Sequence, residues 1–282
     1  IQTIFEDKDD QYVEPVGPAH FLPNNTKEFL WIAQRDGFYH VWKHNVETKE
    51  AKQITKGDFV ITAFEGFDKN GNNIYYTSTE VSPLQRHFYK HNLKNGKKVQ
   101  ITKEHGTHGV TPSASGKYFI DSYSSTDVAR NVDIMDANGK YVNRLHEAVD
   151  PLKDYNIGTI ELGELKAEDG QTLYTRMIKP YNFDSNKKYP VIIYVYGGPH
   201  AQMITDEWTA GAGIYLHYLS QEGFIVFTLD NRGSADRGEA FEQVIHRQCG
   251  QAEMRDQKVG IDYLKSLPYV DAERIGTDGW SY

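Results

Sequence analysis

The sequence predicts a chain in two parts: a partial β-propeller of about three four-stranded blades, followed by the first part of an α/β domain. Three observations carry that expectation. Residues 1 to about 152 are turn-rich and repeat themselves at a period of about 45 residues. After Asp150-Pro151, apolar runs of strand length begin to alternate with helical spacing. The last of those strand runs leads directly into Gly279-Trp280-Ser281-Tyr282.

The repeat is seen by aligning Val41-Trp42-Lys43-His44-Asn45 with Phe88-Tyr89-Lys90-His91-Asn92 and with Val132-Asp133-Ile134-Met135-Asp136, at offsets of 47 and about 45. Each copy runs into a polar hairpin tip, at Glu47-Thr48-Lys49, Lys94-Asn95-Gly96 and Ala137-Asn138-Gly139. Two copies close on the same tetrad, Lys52-Gln53-Ile54-Thr55 and Val99-Gln100-Ile101-Thr102. Upstream, Phe29-Leu30-Trp31-Ile32, Ile74-Tyr75-Tyr76-Thr77 and Tyr118-Phe119-Ile120-Asp121 each follow a turn, at Asn24-Asn25, Asn70-Gly71 and Ser115-Gly116. Four strands per unit at that period describe a propeller blade. An all-β sandwich has no reason to repeat both the tip and the closing strand. Because propellers use at least four blades, the amino end is expected to be truncated.

In the second part, residues 160–166 and 171–179 read as strands joined at Glu168-Asp169-Gly170. Residues 189–196 form a continuous apolar stretch, as in a strand buried on both faces. Residues 208–222 carry helical spacing and stop at Gly223, residues 224–229 form a second buried strand, residues 251–267 a helix ended by Pro268, and residues 274–279 a third strand. Alternation of this kind predicts a doubly wound sheet covered by helices. The domains are expected to span residues 1–152 and 153–282.

Bulk properties narrow the function. The chain has 282 residues, 39% hydrophobic and 25% charged, with a net charge of −8. Acidic excess, with no run of basic residues beyond two, argues against a nucleic-acid partner. The longest apolar run, Val191 to Tyr196, is far short of a membrane helix. The single cysteine, Cys249, cannot form an internal disulfide and is expected to be a buried structural thiol.

The chemistry is expected around Ser281. A buried strand running into Gly-x-Ser is how an α/β-hydrolase presents its nucleophile on a tight turn, with the acid and histidine following in chain order. The sequence stops four residues into the five-residue Gly-x-Ser-x-Gly pattern, so it is read as a piece of an enzyme cut at its nucleophile. In that fold one oxyanion donor comes from the loop after an earlier strand, here Tyr196-Gly197-Gly198-Pro199, and the other is the backbone N–H of the residue after the serine, here Tyr282. Tyr196 is one of 19 tyrosines and on position alone is read as packing sooner than as donating. Asp230-Asn231-Arg232-Gly233-Ser234 lacks the Gly-Lys-Ser/Thr ending of a phosphate loop and reads as a structured loop at the site mouth. Glu104-His105-Gly106-Thr107-His108 has no third ligand in view, so neither a metal nor a cofactor is assigned.

Taken together, Tyr196-Gly197-Gly198-Pro199, Asp230 to Ser234, Phe241 to Arg247 and Gly279 to Tyr282, behind partial blades, closely resemble the dipeptidyl peptidase IV group of the prolyl oligopeptidase family. From residue 189 onward the likeness is especially to its bacterial prolyl tripeptidyl peptidase branch. The resemblance implies a serine exopeptidase that releases di- or tripeptides from free N-termini, preferentially after proline. It implies Ser281 as nucleophile, the Tyr196 hydroxyl as one oxyanion donor and the Tyr282 amide as the other. It places the acid and histidine beyond Tyr282, the glutamates that bind the substrate amine before Ile1, and the protein in a bacterial periplasm or on the cell surface; the intact enzyme is compatible with a homodimer. The fragment alone is expected to hydrolyse nothing. Competing readings are an acylaminoacyl peptidase or oligopeptidase of the same plan, and a propeller-based binding protein whose hydrolase-like domain is catalytically dead.

Overall fold

A computed structural model describes residues 3–14, 17–23, 25–113 and 115–282; Asn24, half of one expected turn, lies outside them. The chain divides into two compact units. One comprises Ile1–Ser124, Arg130–Ala148 and Asp236–Ala240, and the other Ser125–Ala129, Val149–Ala235 and Phe241–Tyr282.

Among the described residues of the amino-terminal part, three four-stranded sheets follow one another in chain order. The first holds β1 (His20–Phe21), β2 (Glu28–Ala33), β3 (His40–Asn45) and β4 (Ala51–Gln53). The second holds β5 (Ile61–Phe67), β6 (Asn73–Ser78), β7 (His87–Asn92) and β8 (Lys98–Gln100). The third holds β9 (Thr107–Pro112), β10 (Tyr118–Ser125), β11 (Val128–Asp136) and β12 (Tyr141–Glu147). These are propeller blades, and the repeated residues explain themselves in them. Asn45 accepts from the N–H groups of Glu47 (2.9 Å) and Thr48 (3.1 Å). Asn92 does the same for Lys94 (3.0 Å) and Asn95 (3.1 Å), and Asp136 for Asn138 (2.8 Å) and Lys140 (3.0 Å). The last residue of each copy therefore folds its own hairpin tip.

The threonine closing each tetrad is a clamp. Thr55 Oγ1 accepts from the Val41 N–H (2.9 Å) and stands 3.1 Å from His40 Nδ1. Thr102 repeats this on Phe88 N–H (3.0 Å) and His87 Nδ1 (3.1 Å). With its oxygen already accepting, each hydroxyl is free to donate to the imidazole Nδ1.

Side chains alternate along β6 and β7, so the middle blade is buried on both faces. Ile74, Tyr76 and Tyr89 pack with Leu30 and Val41 of the first blade, and Tyr75 and Phe88 pack with Val110, Phe119 and Met135 of the third.

The second unit is built on a five-stranded sheet in the order β13-β14-β16-β15-β17. Its strands are β13 (Thr159–Lys166), β14 (Thr172–Lys179), β15 (Tyr189–Val195), β16 (Ile225–Leu229) and β17 (Val270–Gly279). β13, β14 and β16 pair antiparallel, and β15 is parallel to both β16 and β17. Helix α1 (Ile214–Gln221) leads from β15 to β16; the short α2 (Glu239–Glu242) and the long α3 (Ala252–Ser266) lie between β16 and β17. One face of the sheet buries Met177, Ile193 and Phe227 with Leu264 of α3, and the other buries Ile178 and Val226 with Leu216 of α1. This arrangement is the opening portion of an α/β-hydrolase domain.

Two expectations need correction. The helix over 208–222 is broken: a 3₁₀ turn at Trp208–Gly211 has positive φ at Thr209 (60°) and Ala210 (52°), and regular helix begins only at Ile214. The cause is a buried cation. Arg176 donates to the carbonyls of Met203 (2.8 Å) and Ala210 (2.6 Å) and to Thr228 Oγ1 (3.0 Å), so the backbone bends to present the Ala210 carbonyl, which a helix over 208–222 would have used internally. Cys249 is exposed, not buried. It stands in the turn before α3, beside Gly250 at φ 82°, where no core face is available.

Candidate active site

The chain leaves β15 for its parallel neighbour β16 on one side and later returns to β17 on the other. A strand flanked in this way opens a crevice at the carboxyl ends, where ligands of such sheets bind. Three loops meet there: residues 196–200 after β15, 230–235 after β16, and 280–282 after β17.

β15 and β17 run in register until Val195 lies opposite Gly279. A β-carbon at 279 would stand 2.2 Å from the Val195 carbonyl oxygen, so only glycine permits the strands this close an approach. The chain then turns sharply. Ser281 is exposed at φ 74°, and the Tyr282 N–H returns to the Trp280 carbonyl at 3.2 Å. That is a γ-turn with positive φ at its centre, a rare and strained form. In this geometry the Tyr282 amide is engaged with Trp280.

The half-buried Tyr196 is the first residue after β15, and its ring centroid lies 6.3 Å from that of Tyr282. Gly198 allows this: a β-carbon there would stand 2.7 Å from Tyr282 Cγ. Ser281, Tyr196 and Tyr282 therefore stand at the adjoining ends of two paired strands.

The loop after β16, expected at the site mouth, holds this crevice together with residues of α3 that the sequence reading passed over. Asn231 donates to the Gly197 carbonyl (2.9 Å) and to the Arg232 carbonyl (2.8 Å), and accepts from Gln257 Nε2 (3.1 Å). Asp230 accepts from the N–H groups of Met203 (2.9 Å) and Ile204 (3.0 Å). Arg232, buried like its partner, is gripped by Asp256 through its Nε (3.0 Å), its terminal nitrogen (2.8 Å) and its backbone N–H (2.8 Å), and it reaches Asp169 at 2.7 Å. The hydrogen bonds to Asp256 hold its pKa above the ordinary arginine value. Tyr282 donates to Glu253 Oε1 at 3.1 Å. Cys249 beside it, then burial and Glu253, raise the phenol above its usual pKa. Glu253, Asp256 and Gln257 were legible as a helical i, i+3, i+4 set, but polar residues at that spacing ordinarily mark a solvated face.

His108 lies 2.9 Å from Asp121 through Nδ1 and 2.8 Å from the Glu104 carbonyl through Nε2. Among the described residues no group of three or more His, Cys, Asp or Glu side chains is placed to hold a metal ion. No helix there is long and apolar enough to cross a membrane.

Residues 1–130 match the family model for the dipeptidyl peptidase IV N-terminal region, and residues 213–282 match that for the prolyl oligopeptidase family. Mouse dipeptidyl peptidase 8 is 27% identical over 99% of this chain and 36% of its own length. Dipeptidyl peptidase 4 of Arthroderma otae is 28% identical over 92% of this chain and 34% of its own length. A solved structure from Bacteroides ovatus ATCC 8483 superposes with a TM-score of 0.91 at 39% identity, covering 96% of this chain and 41% of that one. Dipeptidyl peptidase 4 of Porphyromonas gingivalis superposes at 0.88 and 30%, covering 98% of this chain and 39% of its own. The chain thus spans about a third of the length of the curated relatives it matches.

Proposed function

Since the chain belongs to the dipeptidyl peptidase IV group of the prolyl oligopeptidase family, we propose that the whole protein is a serine exopeptidase releasing di- or tripeptides from free N-termini, preferentially after proline. In this reading residues 1–152 are the C-terminal blades of the propeller and residues 153–282 begin the catalytic domain. Ser281 attacks the carbonyl carbon of the proline residue, after giving its proton to a histidine that comes later in chain order. The acyl-enzyme forms as the amine leaves, and water then releases the peptide. The Tyr196 hydroxyl and the Tyr282 amide hold the tetrahedral oxygen, the amide having left Trp280 to do so.

The observation that carries the reading is the strained turn at Ser281, at φ 74° directly beyond a glycine pressed against the neighbouring strand. Strain of that kind persists where surrounding structure enforces it and is concentrated at active sites. The test is to assay the whole protein and its Ser281→Ala variant on Xaa-Pro and Xaa-Xaa-Pro chromogenic substrates. Wild-type release with at least a thousandfold loss on substitution is the result expected, in line with triad knockouts. Undiminished activity of the variant would refute the assignment. The ratio between the two substrates separates dipeptide from tripeptide release.

A further inference from the structure

Helix α3 buries a polar stripe. Glu253, Asp256 and Gln257 are 4%, 0% and 9% exposed, on the same face that continues to Gly260 and Leu264. Burying such groups is costly unless they are satisfied, yet Glu253 Oε2 and Gln257 Oε1 have no hydrogen-bond partner. A packing helix would carry aliphatic residues here. What the three share is their targets, because each reaches one of the loops at the crevice.

Glu253 takes the Tyr282 phenol at 3.1 Å, at the end of β17. Asp256 takes Arg232 in the loop after β16. Gln257 donates to the Leu229 carbonyl and to Asn231 Oδ1, both at 3.1 Å, and Asn231, 1% exposed, passes the constraint to the Gly197 carbonyl at 2.9 Å in the loop after β15. Gly197, at φ 78°, directly follows Tyr196. One rigid helix thus ties down the segments that carry both groups assigned above to the developing oxyanion.

We propose that Glu253, Gln257 and Asn231 are positioning residues that set the spacing of the two oxyanion donors, Glu253 through Tyr282, and Gln257 with Asn231 through the Tyr196-Gly197 peptide. The proposal rests on the serine peptidase reading. Its consequence is selective: loosening the platform weakens binding of the tetrahedral oxygen more than binding of the ground state.

The experiment compares Gln257→Met, Glu253→Leu and Glu253→Gln in the whole protein, on a Pro-nitroanilide substrate, with a peptidyl boronate as tetrahedral mimic and the product peptide as ground-state ligand. For Gln257→Met and Glu253→Leu, kcat falls about ten- to a hundredfold, the scale of a small misplacement, with KM within about threefold. Boronate affinity falls by the same factor as kcat/KM, and product affinity holds. Glu253→Gln keeps an acceptor for the phenol and restores most of the turnover. Equal losses of boronate and product affinity, or unchanged kcat, overturn the proposal. If Gln257→Met does not fold, the Glu253 pair decides alone. Ser281→Ala runs alongside: retained activity there sinks the peptidase reading itself, whereas its loss together with wild-type kinetics in the α3 variants sinks only the platform.

Discussion

At the scale of single residues, Gly279 and Tyr196 are set apart by opposite demands. Gly279 is needed for space, since any side chain meets the Val195 carbonyl at 2.2 Å. Gly279→Ala must push β17 from β15, at a cost of about 1–3 kcal/mol as for other overpacked sites. A thermal melt of the 282-residue chain is the check, and an unchanged midpoint contradicts the contact. Tyr196 is needed, on the reading proposed, for one hydroxyl. Tyr196→Phe in the whole protein should lower turnover on the order of a hundredfold or more and leave the melting temperature near that of wild type. Full turnover in that variant removes Tyr196 from the mechanism. The residues differ in legibility too. Gly279 and Ser281 are marked by a motif, whereas Asn231 is legible only as part of a loop at the site mouth and Gln257 only as one polar residue on a helix, and neither shows its role until its contacts are seen.

At the scale of the element, the blade is held by more than its ladder. The Thr55 hydroxyl satisfies a buried backbone N–H and a buried imidazole at once. Thr55→Val keeps the shape and strands both groups, for an expected loss of about 1–3 kcal/mol. Thr55→Ser keeps the hydroxyl and should recover most of it. Denaturant titration of the three proteins measures the difference, and coincident curves for Val and Thr show that the clamp contributes nothing. The repeated Ile-Thr was visible in the sequence as a pattern. Its partners, His40 and His87, lie 15 residues upstream and become meaningful only when β3 and β7 pair with the strands that follow. Helix α1 shows the reverse case, where spacing suggested regular helix from residue 208 and a buried Arg176 took the Ala210 carbonyl of its expected first turn.

At the scale of the whole molecule, stability is tied to pH through buried histidines. Burial lowers the pKa of His20, His40, His44, His91 and His217 below the ordinary 6.5. The unfolded chain then binds more protons than the folded one at pH values below about 6.5, so stability is fully present above that value and declines as the medium is acidified. Asp68, Asp169 and Asp271, whose pKa values lie below the ordinary 3.8, act only at lower pH. Glu65, whose carboxyl is raised by burial above the ordinary 4.5, works against the five histidines at the acidic end of the window as a single group. Denaturation midpoints at pH 7.5 and pH 5.5 test this, with the lower midpoint expected at pH 5.5. Equal midpoints, or a higher one at pH 5.5, rule it out.

The sequence by itself determined what depends on neighbours along the chain. Blade repeats follow from turn residues such as Asn45, Asn92 and Asp136, which bond their own hairpins. The strand-to-serine turn follows from a glycine and a motif of a few residues. Tertiary structure alone decided where side chains distant in sequence would meet: the break at Thr209-Ala210, the exposure of Cys249, and the buried face of α3 beneath the crevice. The physical reason is that a buried polar group must find partners wherever the fold brings them. Arg176 finds carbonyls 27 and 34 residues away and Gln257 finds Asn231 26 residues back, separations at which periodicity carries no information.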